Sequence, residues 1–215
     1  MTAAATLTYT SLSEQLISYT ERVDDAAFAA QIPYIIMMAE NRIATDLKQQ
    51  GFQSVVDGTF TASSSGASFA KPAYWRETIS FNYLDPVLGW QPLRLRSLEY
   101  LKNFWPLQGS LAAPRFYADY NFTNFLVAPS PDQAYDFQLV YYARLDPLSS
   151  ANQTNWLTVN APQCLMYAAL LEAYIWTKNT AKVAEFQSHY DNAKGGLMQE
   201  TAERLGDRTE IVTRG

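Results

Sequence analysis

Four places in the sequence carry side chains of the kind that do chemistry: the acidic pair Asp24-Asp25, the single cysteine Cys164, the lone charge Glu172 inside an apolar run, and the single histidine His189. A metal-binding or catalytic histidine needs partners, and one His with one distant Cys supplies neither a zinc cluster nor a nucleophile–base pair. His189, beside Tyr190 and Asp191, therefore reads as an ordinary surface residue. Cys164 lies within the apolar run, where burial makes a thiol inert instead of reactive. Glu172 has two candidate partners, Arg42 and Lys48, because a buried carboxylate is costly without one; a subunit contact and a catalytic role are the alternatives. Asp24-Asp25 could hold a cation in principle, but as helix caps they need none. No phosphate-binding glycine loop, nucleophile elbow or paired-histidine metal motif is present. The expectation is a protein that is not an enzyme, with no catalytic residue, cofactor or metal.

Those residues hang on a framework organised around Asn160 to Lys178. From Cys164 to Trp176 twelve of thirteen residues are apolar, which leaves no polar stripe to face water. Asn160 is a candidate N-cap and Pro162 falls in the first turn, where its missing N–H is harmless. The run is shorter than the roughly 20 residues of a bilayer span, so it reads as the central helix of a soluble core. Thr10–Thr20 predicts a short helix with Ser11 and Glu14 as a capping box. Residues Phe28, Ile32, Ile35, Ile36, Ala39, Ile43 and Leu47 recur at helical spacing through Ala26–Gln49, and Pro33 either kinks that helix or marks its first turn. A long helix from Thr180 shows the narrow stripe Val183, Phe186, Tyr190, Ala193 and Leu197.

Between these helices the period changes to two. Trp75, Ile79, Phe81 and Tyr83 alternate with polar residues, and Arg115–Asp119, Asn124–Val127 and Tyr135–Ala143 predict three strands in an antiparallel meander. Asp57-Gly58 reads as a tight hairpin turn, Gln91–Arg96 as a strand, and Ser97–Trp105 as a short capped helix. Thr61–Ser68, rich in serine, reads as a mobile loop. The fold class expected is α+β: a four-helix bundle core with an antiparallel sheet of about five strands inserted between helices 2 and 3. The corresponding divisions are residues 1–51 and 146–205 for the helices, 52–145 for the sheet, and 206–215 for a flexible tail.

Charge narrows the function. The net charge of −5 is spread as −3, −1 and −1 over residues 1–50, 51–163 and 164–215, so no region has the clustered Lys and Arg that grip phosphate. One cysteine excludes an internal disulfide, and no signal-like segment opens the chain, which points to assembly in a reducing cytoplasm. The 30 aromatics exceed ordinary packing needs and suit a sheet core or subunit contacts. An exposed ring platform for sugars or bases is the alternative use.

Pro114-Arg115-Phe116-Tyr117, Leu126, Pro129 to Asp132, Tyr135, Tyr141-Tyr142, Leu148-Ser149, Asn152 to Leu157 (NQTNWL) and Pro162 to Ala173 together resemble the tailed-phage head-to-tail adaptors, including the tail tubular protein A group. Ala39-Glu40, Arg42-Ile43 and Asp46-Leu47 extend the resemblance into the second helix. It implies a non-enzymatic structural protein of the virion, located at the head–tail junction. Its form would be a ring, usually of twelve copies, bound to the portal protein and to tail or nozzle proteins, with double-stranded DNA passing through non-specifically and no membrane involved. On that view the tail, with Leu205, Arg208, Ile211, Val212 and Arg214, orders against the portal. The loop with Ser63, Ser64, Ser65 and Gly66 orders against tail proteins, and Glu172 with Arg42 forms a buried charge or an interface. The rival class is a monomeric carbohydrate-binding or hydrolytic tail-associated protein, which needs an exposed aromatic cleft with convergent carboxylates.

Overall fold

The computed structural model describes residues 6–47, 52–61, 67–107 and 109–205. It is α+β, with six helices and two sheets, and divides into two compact units: residues 1–52 with 145–215, and residues 53–144.

The first unit is helical. Helix α1 (Tyr9–Tyr19) opens on a capping box between Thr8 and Ser11, three residues ahead of the expected Ser11–Glu14 pair, and buries Leu12 and Leu16. Thr8 takes the role because its hydroxyl accepts from the Ser11 N–H while the Ser11 hydroxyl accepts from the Thr8 N–H. Helix α2 (Ala26–Asp46) is capped by Asp25, whose carboxylate accepts from the Phe28 N–H, and Pro33 lies inside it. Its buried face is Phe28, Ile32, Ile35, Ile36, Ala39 and Ile43.

After the strands, α4 (Trp156–Asn160) and α5 (Pro162–Trp176) meet at Ala161. Asn160 is thus the last residue of α4, not the cap of α5. Asn155 caps α4 through the Leu157 and Thr158 N–H groups, and α5 begins at Pro162 with no side-chain cap. Nine of the fifteen residues of α5 are buried, and the helix packs on α1, α2, α4 and α6 (Thr180–Leu205). Each leucine so removed from water contributes about 1.5–3 kcal/mol, which makes α5 the element that holds the unit together. Two further bonds tie α1 in: the Tyr174 hydroxyl donates to the Tyr19 carbonyl at 2.9 Å, and the Tyr9 N–H to the Gln153 carbonyl at 2.8 Å. Among the described residues no helix is long and apolar enough to cross a membrane.

Among the described residues the second unit contains eight strands in two four-stranded sheets, where one sheet of about five strands was expected. The first sheet has the order β1-β8-β3-β4, from β1 (Gln53–Phe60), β3 (Trp75–Asp85), β4 (Gly89–Pro92) and β8 (Tyr135–Ala143). The second has the order β2-β7-β6-β5, from β2 (Ala67–Ala70), β5 (Arg94–Leu95), β6 (Phe116–Asp119) and β7 (Asn124–Ala128). Helix α3 (Leu98–Phe104), capped by Ser97 as its sequence suggests, packs on β6.

Two details overturn the sequence reading. β6 and β7 do form a hairpin, but β8 leaves them to pair with β1 and β3, and β5 runs parallel to β6, so the meander is broken. Asp57-Gly58 is no turn: both residues lie within β1, with Gly58 opposite Phe137. Inward-facing rings from both sheets (Phe60, Phe81, Tyr83, Tyr117, Phe125, Tyr135, Phe137 and Tyr141) fill the space between them. Much of the aromatic surplus is therefore the core of a two-layer β unit, which rings suit because each buries a large area.

Candidate functional site: charged anchors of the helical unit

Helix α2 carries three ionisable side chains that each reach a different part of the helical unit. The Arg42 guanidinium grips Glu172 of α5, with Nε 2.7 Å and Nη2 2.6 Å from the same carboxylate oxygen. Among the described residues Glu172 is the one charged residue of the buried core, 8% exposed, so the pair supplies the compensation that a carboxylate among leucines requires. Lys48, the other candidate partner, lies outside the described residues.

One helical turn on, Asp46 accepts from the Tyr190 hydroxyl of α6 at 2.9 Å, and the Lys194 ammonium lies 3.3 Å from the same oxygen. Tyr190 is fully buried, and burial, then the Asp46 hydrogen bond, pushes its phenol pKa well above the ordinary tyrosine range. Lys194 also bonds Asp191 at 3.0 Å.

Glu40 turns instead toward the segment before α4. Its carboxylate accepts from the Leu148 N–H at 3.2 Å and from Nδ2 of Asn155 at 2.7 Å. Burial raises the Glu40 pKa, against those two hydrogen bonds. Asn155 thereby does two things at once: its amide nitrogen reads Glu40 while its amide oxygen caps α4. Asn152, in the same segment, donates to the Pro147 carbonyl at 2.9 Å. Glu40 and the NQTNWL stretch, far apart in sequence, are thus bonded through Asn155.

These contacts hold the fold. Among the described residues no group of three His, Cys, Asp or Glu side chains could hold a metal ion. His189 is exposed and lies against Tyr167, with ring centroids 5.3 Å apart. Cys164 is buried and its thiol is pushed up to about 12, chiefly by desolvation. Asp25 is occupied as the α2 cap and by Arg22, and the Phe28 N–H and Arg22 lower its pKa. Asp24 is exposed beside it, in a depression of about 760 Å³ lined by Thr20 to Ala26.

Ser63, Ser64, Ser65 and Gly66 lie outside the described residues, as do Arg208, Ile211, Val212 and Arg214. Leu205 is the last residue of α6. Sequence reasoning did not identify Asn155, Tyr190 or Lys194 as partners of α2. Their only local signal was a polar group next to a buried position, which many surface residues share.

The model of the SU10 adaptor protein family, a phage head–tail adaptor family, matches residues 7–213, nearly the whole chain and both units. Among curated proteins no relative matches the sequence. On the extent of that match the chain belongs to the SU10 adaptor protein family.

Proposed function

We propose that the protein is the subunit of a closed ring, usually of twelve copies as the resemblance to head-to-tail adaptors implies, that joins the portal to the tail and extends the DNA channel. The observation that carries this reading is the family match over residues 7–213. The four packed helices α1, α2, α5 and α6 serve as the bundle that gives each copy its rigid body, and the β unit serves as the platform offered to neighbours and tail proteins. A mildly acidic chain suits a conduit, since a channel wall that repels phosphate weakly lets DNA slide. Docking to the portal is assigned to Leu205, Arg208, Ile211, Val212 and Arg214, docking to tail proteins to the Ser63–Gly66 segment. The Arg42–Glu172 pair holds α2 and α5 in register. Assembly takes place in the host cytoplasm.

The test is to mix the full chain with the portal assembly of its own phage and image the product. A ring of this protein on the portal is expected, and failure to co-assemble would reject the adaptor role. Removing residues 206–215 should leave a soluble folded chain that docks more weakly; unimpaired docking would overturn the assignment of that segment.

A further inference from the structure

Some of the rings are not in the core between the sheets. Tyr100 and Phe104, one turn apart on α3, are stacked with centroids 6.0 Å apart and planes 8° from parallel. Both stand edge-on to Phe116 of β6, at 5.4 and 4.9 Å. The guanidinium of Arg96 lies 5.5 Å from the Tyr100 ring and 5.9 Å from the Phe116 ring. Tyr100 is 41% and Phe104 38% exposed. Among the described residues neither Arg94 nor Arg96 forms an ion pair, and Lys102 is exposed on the same helix.

A guanidinium held over aromatic faces has its orientation fixed in advance and keeps its donors outward, ready for a carboxylate. Arg, Tyr and Phe in one exposed patch is also the composition of protein–protein contact centres, where Arg and Tyr supply much of the binding energy. This is a surface prepared for an acidic protein segment.

The chain itself carries one. The seven acidic and seven basic residues between 53 and 144 cancel, so the whole −5 excess lies in the residues of the helical unit. There the turn between α1 and α2 presents Glu21 and Asp24, both exposed and, among the described residues, without an ion pair. Val23, between them, is 75% exposed. A sharp turn with Glu21 at φ +56° offers two carboxylates around an apolar tip, matched in kind to an arginine above a ring stack.

We infer that the Arg96–Tyr100–Phe104 surface of one copy receives the Glu21–Asp24 turn of the next. The contact joins two different patches, which is the heterologous geometry that a rotational ring repeats. The inference rests on the ring reading above and names the contact that closes it.

Sedimentation velocity on the full chain, over a concentration series at low salt, tests it. Self-association is expected, and Arg96→Glu and Asp24→Arg should each weaken it by about tenfold or more, because like charges then face each other. The double variant, with both charges reversed in every copy, should recover most of the loss. Matching circular dichroism and melting temperatures establish that each variant is folded. A wild-type chain that stays monomeric throughout, reversals without effect, or a double variant no better than the singles would each overturn the contact. If Arg96→Glu leaves self-association intact but abolishes binding of another virion protein, the occupant is foreign and the assignment to a second copy falls. A chain that forms its ring on the portal but ignores both reversals sinks this contact alone, whereas one that never joins a portal sinks the adaptor reading itself.

Discussion

Arg42 and Glu172, 130 residues apart, meet through a 2.7 Å bond from Nε to a carboxylate oxygen borne by the otherwise apolar buried run of α5. The carboxylate is nearly buried while the arginine still reaches solvent, with side-chain exposures of 9% and 31%. Removing the arginine therefore strands a desolvated charge, whereas removing the charge leaves a guanidinium that water can solvate. Arg42→Met should cost more than Glu172→Gln, with the first near the low end of the roughly 3–5 kcal/mol seen when a buried pair is broken. Arg42→Met/Glu172→Gln together should be less destabilised than Arg42→Met alone. Urea unfolding of the four proteins gives the comparison; equal losses for the two single variants would contradict it.

Glu40 gives the helical unit a pH signature. Its folded pKa lies above the ordinary value of 4.5 because burial disfavours the charged form. A raised folded pKa means the folded state holds the proton more tightly than the unfolded chain. The associated stability is then complete below the ordinary carboxylate pKa and is lost as pH rises through the folded value. Glu40→Gln cannot lose it, and its amide oxygen can still accept from Leu148 and Asn155. The variant should gain on the wild type as pH rises from about 4.5 through the folded pKa. Unfolding free energies measured across that window should diverge in this direction, and a difference independent of pH would count against the assignment.

What could be read in advance follows from how far each signal reaches along the chain. The apolar run of α5, the stripe of α2 and the Ser97 cap of α3 are local facts: adjacent residues in sequence decide them, and the sequence reading found all three. Strand partners are not local. Tyr135, Phe137, Leu139 and Tyr141 announce that β8 buries one face, but nothing in β8 says that it pairs with β1 and β3 instead of its hairpin neighbour β7. Asp57-Gly58 misled for the same reason, since the dipeptide favours a turn and the true cause of the glycine sits on another strand. The polar anchors divide likewise. Glu172 stood out as one charge among apolar residues, while Glu40 with Asn155 and Asp46 with Tyr190 became a unit only after folding joined them.

Cys164 should be silent in the native protein. Its thiol is buried beside Leu165 and Ala168 and pushed up to about 12, so at pH 8 only about one molecule in ten thousand carries the reactive thiolate. A thiol reagent such as dithiobis-nitrobenzoate should label it only as fast as α5 opens, and fully in denaturant. The labelling rate should rise in Arg42→Met, which weakens the helix packing around α5. Rapid labelling of the folded wild type would show that α5 is not the closed core described.

Gly58 faces Phe137 across the β1–β8 pair, and a Cβ built on it would stand 2.6 Å from Cζ and 2.9 Å from Cε1 of that ring. Real Cβ atoms do not approach so closely, so something must yield. The ring has little room: Phe60 stacks on it at 4.5 Å, and Phe69 and Phe81 close in at 5.3 and 5.6 Å. Alanine is ordinarily the better strand residue, since glycine gives up more backbone entropy on folding. Here the overlap should win, and Gly58→Ala should destabilise the β unit by about 1–3 kcal/mol, the usual range for overpacking a tight core. Phe137→Leu removes the atoms in conflict at its own cavity cost. In that background Gly58→Ala should become nearly neutral or stabilising, so a double-mutant cycle should return a coupling energy of the same size and opposite sign to the single loss. Near-UV circular dichroism, which follows the packed rings, is the suitable readout. Equal effects of Gly58→Ala with and without Phe137 would mean that the glycine serves the backbone and not the ring above it.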